Sequence, residues 1–343
     1  PGSPVRCAIN GYGRIGRSIL RALYEYCRWP IEIVAINDLA EPETLAHLTR
    51  FDSTHGRFRI PVELKDTCLR VAGKQIQLLQ RETPSRLLWA ELAVDLVFEC
   101  TGRVKSRAGA QVHLDGGAGK VLISNPADAR VDATVVYGVN HHGLTGKEKI
   151  LSNASCTSNC IIPVIVALDQ AFGIVCGNIT TIHSAMNDQP VIDTAGSDLC
   201  LCRAAGPSIV PVNTQLARGI ERILPRFDGC FQATAMRVPT QNVTAMDLHV
   251  VLERNTSIAD INRAIVDAAK GRFHGIMDYS DIPLASIDFN HDPHSSIVDG
   301  TQTRVSGGRL AKLLVWGDNE WGVANRMLDT ATAVMAGTAM DAA

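Results

Sequence analysis

The sequence predicts an α/β protein in two parts: a parallel sheet of βαβ units over residues 5–154, completed by a C-terminal helix over 320–338, and an α+β region over 155–319 with a mainly antiparallel sheet. Three observations carry this. In the first part, short apolar runs stopped by Gly or Pro alternate with helical patterns. In the second, longer runs alternate apolar and polar residues, as a sheet with one covered face requires. The length, 343 residues, suits about two domains.

Taken in order, VRCAIN (5–10) is a strand that stops at GYGRIG, and the helix after it places Ile15, Ile19, Leu20 and Leu23 on one face. IEIVAIND (31–38), DLVFECTG (95–102) and KVLISNPA (120–127) are the next strands. Past residue 154, GNITTIHSAM (177–186), CFQATAMRVPT (230–240), TAMDLHVVLE (244–253) and RLAKLLVWGDN (309–319) read as alternating strands. IADINRAIVDAAKG (258–271) is a helix stopped by Gly271, and Trp321 to Met335 is helical, with Ala324, Met327, Leu328 and Ala331 at helical spacing. There is no internal repeat, low-complexity linker or charge block.

Apolar residues make up 46% of the chain and charged residues 20%, the balance of a soluble protein with a sizeable core. A net charge of −2, with basic and acidic residues interspersed, gives no field for nucleic acid. No apolar run approaches the ~18 residues that suggest a membrane span, and no export signal is read at the start. Ten cysteines occur without a single CxxC pair, so neither a zinc ribbon nor a thioredoxin motif fits. Cys7 and Cys100 sit in apolar strands as small hydrophobes. Free thiols and a cytoplasmic location are the expectation.

GYGRIG places Gly11, Gly13 and Gly16 between a strand and a helix. The first glycine permits the tight turn, the second lets backbone approach a pyrophosphate, and the third packs helix on strand, as in a dinucleotide-binding Rossmann unit. The helix start adds unpaired N–H groups and partial positive charge. Asp38 follows Gly16 by 22 residues, where a carboxylate binds the adenosine ribose 2′-hydroxyl and favours NAD over NADP. The competing role for Asp38 is a helix cap in NDLAEPE.

SNASCTSNC (152–160) poses a second question, with cysteines four apart. Ser155 or a neighbour caps a helix beginning near Cys156, whose thiol then lies where the helix dipole favours a thiolate. Cys160 falls one turn deeper, before the apolar run IIPVIVAL. Further metal ligands are lacking nearby, and a disulfide would distort the helix. Cys156 is therefore the reactive group and Cys160 packing. The base is His183, which ends ITTIH. A strand histidine is more often a surface or satisfied core residue; the cysteine and dinucleotide loop single this one out. Cys, His and NAD together suggest thiol-dependent aldehyde oxidation through a thioester. A non-catalytic NAD-binding or redox-sensing protein is the alternative. The paired histidines His141-His142 and the stretch NHDPH (290–294) lack partners at ligand spacing and read as loop and capping residues, with no metal expected.

INGYGRIGR, FDSTHGRF (51–58), SNASCTSNC, TTIHS, AMRVPTQNVTAMDL, DPHSSIVD and WGDNEWG together resemble the phosphorylating glyceraldehyde-3-phosphate dehydrogenase superfamily over nearly the whole chain. The resemblance implies a Rossmann domain, a catalytic domain whose sheet mediates a homotetramer, and a C-terminal helix returning to the first domain. It implies Cys156 as nucleophile and His183 as its partner. It places Arg14 and Ile15 on the pyrophosphate, Asn319 on the nicotinamide amide, and Arg81 near the adenine, although Arg81-Glu82 stands in reversed order here.

The substrate residues depart from the family's pattern. Threonines three and five residues beyond the histidine are replaced by Met186 and Asp188, and a carboxylate repels a phosphate dianion. The other anion site joins the residues around the nucleophile, Ser155 and Thr157, to a Thr-Gly step that is Thr214-Gln215 here. Arg203 and Arg237 remain as phosphate ligands, each with a surface ion pair as its competing role. HSAMNDQPVID, CRAAGPSIVPVNT and FHGIMDY are similar to the erythrose-4-phosphate dehydrogenase branch. That branch oxidises D-erythrose 4-phosphate to 4-phosphoerythronate with water releasing the thioester, in vitamin B6 (pyridoxal 5′-phosphate) biosynthesis. The alternative is the phosphorylating enzyme of glycolysis.

Overall fold

A computed structural model of the chain describes residues 3–83, 87 and 89–341, the side chains of 338–341 aside. The chain divides into two compact units, residues 1–154 with 323–343 and residues 155–322. The first unit opens with β1 (Val5–Asn10), α1 (Arg14–Tyr26), β2 (Ile31–Asn37) and α2 (Pro42–Arg50). A small hairpin of β3 (Phe51–Asp52) and β4 (Gly56–Arg57) follows, then β5 (Val62–Lys65), β6 (Cys68–Val71) and β7 (Lys74–Leu79). β8 (Leu96–Glu99), α3 (Arg107–Asp115), β9 (Lys120–Ile123), β10 (Ala133–Thr134) and β11 (Ile150–Ser152) complete its sheet.

The strand order is β10-β11-β9-β8-β1-β2-β7-β6-β5. From β10 to β7 all pairs are parallel, whereas β5, β6 and β7 form an antiparallel edge. The expected parallel sheet is thus corrected to a mixed one. Its edge is made locally: Ala72 and Gly73, both at positive φ, form the two-residue loop between β6 and β7, the backbone a tight hairpin needs. β1, central and covered on both faces, buries Cys7, Ala8 and Ile9 completely, which explains its unbroken apolar run. α1 buries Ile19, Leu20 and Leu23, and Ile15 is half-buried.

The second unit contains α4 (Cys156–Phe172), β12 (Ile174–Ser184), β13 (Val210–Val212), α5 (Leu216–Ile223), β14 (Phe231–Val238), β15 (Thr244–Leu252) and α6 (Ile258–Lys270). β16 (Met277–Ser280), β17 (Ser296–Ser306) and β18 (Leu310–Gly317) follow, and α7 (Trp321–Asp341) starts here and runs into the first unit. Its sheet runs β13-β14-β12-β15-β18-β17-β16. Four pairings are antiparallel; β12 with β14 and β16 with β17 are parallel. The α4 core from Ser158 to Leu168 is buried, so this helix is apolar on every side. No helix among the described residues is long and apolar enough to cross a membrane.

Candidate active site

The reactive centre is built on the start of α4. Ser155 is its N-cap: the Ser155 hydroxyl oxygen accepts from the Ser158 amide at 3.0 Å, so Cys156 is the first helical residue. Ser155 Oγ also lies 3.0 Å from Thr157 Oγ1 and donates to Ser158 Oγ at 2.8 Å, which fixes the three residues around the thiol. Ala154, just before the cap, has left-handed φ of 56°, an uncommon conformation for alanine. Cys160 lies a turn deeper, buried, with its sulfur 3.8 Å from the Trp316 carbonyl oxygen, and burial raises its pKa.

β12 delivers His183, also buried, with Nε2 3.8 Å from Cys156 Sγ. His183 Nδ1 lies 2.8 Å from the Ser184 carbonyl oxygen, which can only accept, so Nδ1 carries the proton. Nε2 is therefore left as the acceptor facing the thiol. The parallel register of β12 with β14 sets Arg237 opposite His183.

Burial acts against the thiolate that the helix start favours. Burial pushes the Cys156 thiol above its ordinary value, against the Thr157 amide, the charge of Arg237 and its own amide. Burial likewise lowers His183; its bond to Ser184 opposes this, and Arg237 reinforces it. Both directions favour the uncharged form, thiol on Cys156 and imidazole on His183.

Arg237 is held rather than open. Its Nη1 donates to Asp188 Oδ1 at 3.1 Å and to Gln189 Oε1 at 3.3 Å. Gln189, not singled out in the sequence, also accepts the Met186 amide at 3.1 Å and so ties the loop after β12 to Arg237. The Met186 side chain is exposed. Asp188, expected to repel an anion, is the counter-ion of Arg237. Arg203 pairs at the surface with Asp193, Nε to Oδ2 at 2.9 Å. Thr214 Oγ1 accepts the Leu216 amide at 3.2 Å, and exposed Gln215 precedes α5. α5 packs on the start of α4: a Cβ on Gly219 would come within 2.9 Å of Ser158 Oγ. Asn319 Oδ1 accepts from Thr244 Oγ1 at 3.4 Å, and its neighbour Asp318 caps α7 through the amides of Glu320 and Trp321.

The histidine-rich stretches do structural work. His141 stacks on Tyr137, with ring centroids 4.1 Å apart, His291 on Trp321 at 3.7 Å, and His294 Nδ1 is 2.7 Å from Asp292. Among the described residues, no three His, Cys, Asp or Glu side chains gather as a metal would require.

In the first unit, Gly11 has φ of 89°, and a Cβ there would lie 2.6 Å from the Thr101 amide nitrogen. A Cβ on Gly16 would meet the Gly11 carbonyl oxygen at 2.4 Å, whereas one on Gly13 would meet nothing within 4 Å. Two glycines thus close the turn and the third leaves space above it. α1 starts there without a side-chain cap, so its first amides suit a pyrophosphate. Arg14 turns its guanidinium onto Asp52, Nη2 to Oδ1 at 3.0 Å, leaving its backbone as the group facing the turn. Burial would raise Asp52, but Arg14 and the amides of His55 and Thr54 hold it well below the usual carboxylate range. Asp38 accepts the Tyr12 amide on Oδ2 at 2.8 Å and the Ala40 amide on Oδ1 at 3.0 Å. It is not the cap of α2, which is Glu41. The Arg81 amide and carbonyl both bond Asn37, which anchors that loop beside β2.

Two family models match. Residues 5–107 match the glyceraldehyde 3-phosphate dehydrogenase NAD-binding domain, and residues 155–319 match the C-terminal domain of the same enzyme. With a glycine turn shaped for a dinucleotide and a cysteine-histidine pair at a helix start, the chain belongs to the glyceraldehyde-3-phosphate dehydrogenase family, an NAD-dependent oxidoreductase acting on a phosphorylated sugar aldehyde.

Proposed function

We propose that this enzyme oxidises D-erythrose 4-phosphate to 4-phosphoerythronate, with water as the acyl acceptor. The observation that carries the reading is the Arg237 clamp: Asp188 and Gln189 hold the guanidinium, and Met186 stands where the family has a threonine. A site with a built-in carboxylate is ill-suited to a second, inorganic phosphate. In this reading the product feeds pyridoxal 5′-phosphate synthesis, and the ten free thiols suit the cytoplasm.

The chain's own groups supply the proton and acyl chemistry. His183 Nε2 takes the Cys156 proton as sulfur adds to the aldehyde carbon and returns it to the former aldehyde oxygen, giving a thiohemiacetal. NAD, when bound, would supply the hydride acceptor for that carbon. The hydroxyl proton of the thiohemiacetal passes to His183, which releases it to solvent, and a thioester remains on Cys156. His183 then deprotonates a water that attacks the thioester, and the carboxylate leaves as the thiol reforms. Gly11, Gly13, Arg14, Ile15 and Gly16 hold the pyrophosphate, Asp38 the ribose, Arg81 borders the adenine, and Asn319 takes the nicotinamide amide. Ser155, Thr157, Arg203, Thr214, Gln215 and Arg237 bind the substrate.

The test is NADH formation from erythrose 4-phosphate or glyceraldehyde 3-phosphate, each with and without inorganic phosphate. Faster, phosphate-independent turnover of the four-carbon sugar is expected. Strict phosphate dependence with the triose would establish the glycolytic reaction instead. Cys156→Ser should abolish turnover and keep NAD binding, whereas Cys160→Ser should retain much of the rate.

A further inference from the structure

Behind the glycine turn lies a buried polar chain that the chemistry above does not use. Glu99 ends β8 in register with Asn10 of β1, and its side chain is wholly buried. Asn10 Nδ2 lies 2.6 Å from Glu99 Oε2, and His113 Nε2 lies 3.0 Å from the same oxygen. Glu99 Oε1 accepts the Thr101 amide at 2.9 Å and also the Thr101 hydroxyl.

The direction of every bond in this chain is set from its ends. Trp89 Nε1 is 3.1 Å from His113 Nδ1, and an indole only donates. His113 Nδ1 must therefore accept, and Nε2 carries the proton given to Glu99. At the other end, the Arg81 amide donates to Asn37 Oδ1 at 2.8 Å, so Asn37 Nδ2 faces the Arg81 carbonyl and, at 2.8 Å, Asn10 Oδ1. Asn10 then has only Nδ2 to offer Glu99. Four donors converge on one side chain, and a carboxylate, acceptor-only with about four lone-pair sites, is the group that accepts them all. Burial would raise the Glu99 pKa, but the bonds from His113, Thr101 and Asn10 pull it below its ordinary value.

Three segments at the carboxyl ends of the strands meet at this one group. Asn10 leads directly into Gly11, the Thr101 amide is the atom that a Cβ on Gly11 would strike, and Asn37 anchors Arg81. In an open α/β sheet this edge is where a ligand sits. We propose that Glu99 is a positioning residue for NAD, a buried anion that does not touch the cofactor but sets the spacing of the 10–13, 79–81 and 99–102 segments. The proposal rests on the reading that the glycine loop holds NAD.

Glu99→Gln keeps the shape and inserts an N–H among inward-facing donors. NAD affinity of the full-length protein, measured by titration calorimetry, should fall about ten- to hundredfold, as expected for buried donors left unpaired. KM for NAD should rise with it, while kcat at saturating NAD and the alkylation rate of Cys156 hold. Adding Trp89→Phe frees His113 Nδ1 to carry the proton, so Nε2 can accept from the new amide and affinity should recover in part. A residue that merely filled space would show the opposite, a further loss in the double variant. Unchanged affinity in Glu99→Gln, or no recovery in the double variant, would overturn the proposal. Failure of the unaltered protein to bind NAD would instead remove the glycine-loop reading, and the proposal with it. Should Glu99→Gln not fold, Thr101→Val removes a single donor: a several-fold loss of affinity at unchanged melting temperature supports the role, and unchanged affinity overturns it.

Discussion

Cys156 and His183 are both discharged by their surroundings, and this has a measurable signature. Burial pushes the thiol above its ordinary pKa and the imidazole below its own. Both shifts act against a thiolate-imidazolium pair in the resting site. Alkylation of Cys156 by iodoacetamide in the absence of ligands should therefore climb with pH and continue to climb beyond the range of an ordinary thiol. A rate that levels off near neutrality would show a resting ion pair and refute the neutral assignment. Arg237 is one of the groups that draw the thiol down, so Arg237→Met should move the curve further toward alkaline pH. That the two residues would meet was legible in the sequence, because a cysteine after a cap and a histidine after an apolar strand have few other joint uses, and the fold sets them 3.8 Å apart. Its charge state was not, because desolvation depends on what the fold packs around the sulfur.

The elements that aim these groups owe their placement to a few local contacts. Replacing Ser155 by Ala removes the acceptor for the Ser158 amide and should cost about 1 kcal/mol, lowering the melting temperature by roughly 2–4 °C. Ser257, which caps α6 through the Asp260 amide, is the control. Ser257→Ala should lower stability similarly but leave Cys156 alkylation unchanged, whereas Ser155→Ala should alter both. Strands with continuous or alternating apolar patterns, such as β1, β12 and β15, could be read from sequence to within a few residues. β5 to β7 could not. CLRV and KQIQLL alternate apolar residues with charged or amide ones in short edge strands, and the turns that pair them depend on positive φ at Asp66 and at Ala72 rather than only at a glycine. Gln189 went unread because its role depends on a loop folding back over Arg237, which no spacing encodes.

For the molecule as a whole, the segment between β12 and β13 exposes Val191 (88%), Leu199 (83%), Ile192 and Ile209. So many large apolar side chains on one surface segment suit a face that another subunit covers. Self-association of the 37.0 kDa chain is therefore expected, a multiple of the monomer mass by sedimentation at micromolar concentration. Leu199→Asp together with Val191→Asp should shift that mass downward. A monomer in the unaltered protein would mean that this surface serves something other than self-assembly.

The neutral cysteine-histidine pair also bears on survival between turnovers. Peroxide oxidises thiolates, not thiols, so a nucleophile that stays protonated at rest is a slow target. Burial that favours the protonated thiol of Cys156 should therefore slow its oxidation by peroxide, and Arg237→Met should slow it further.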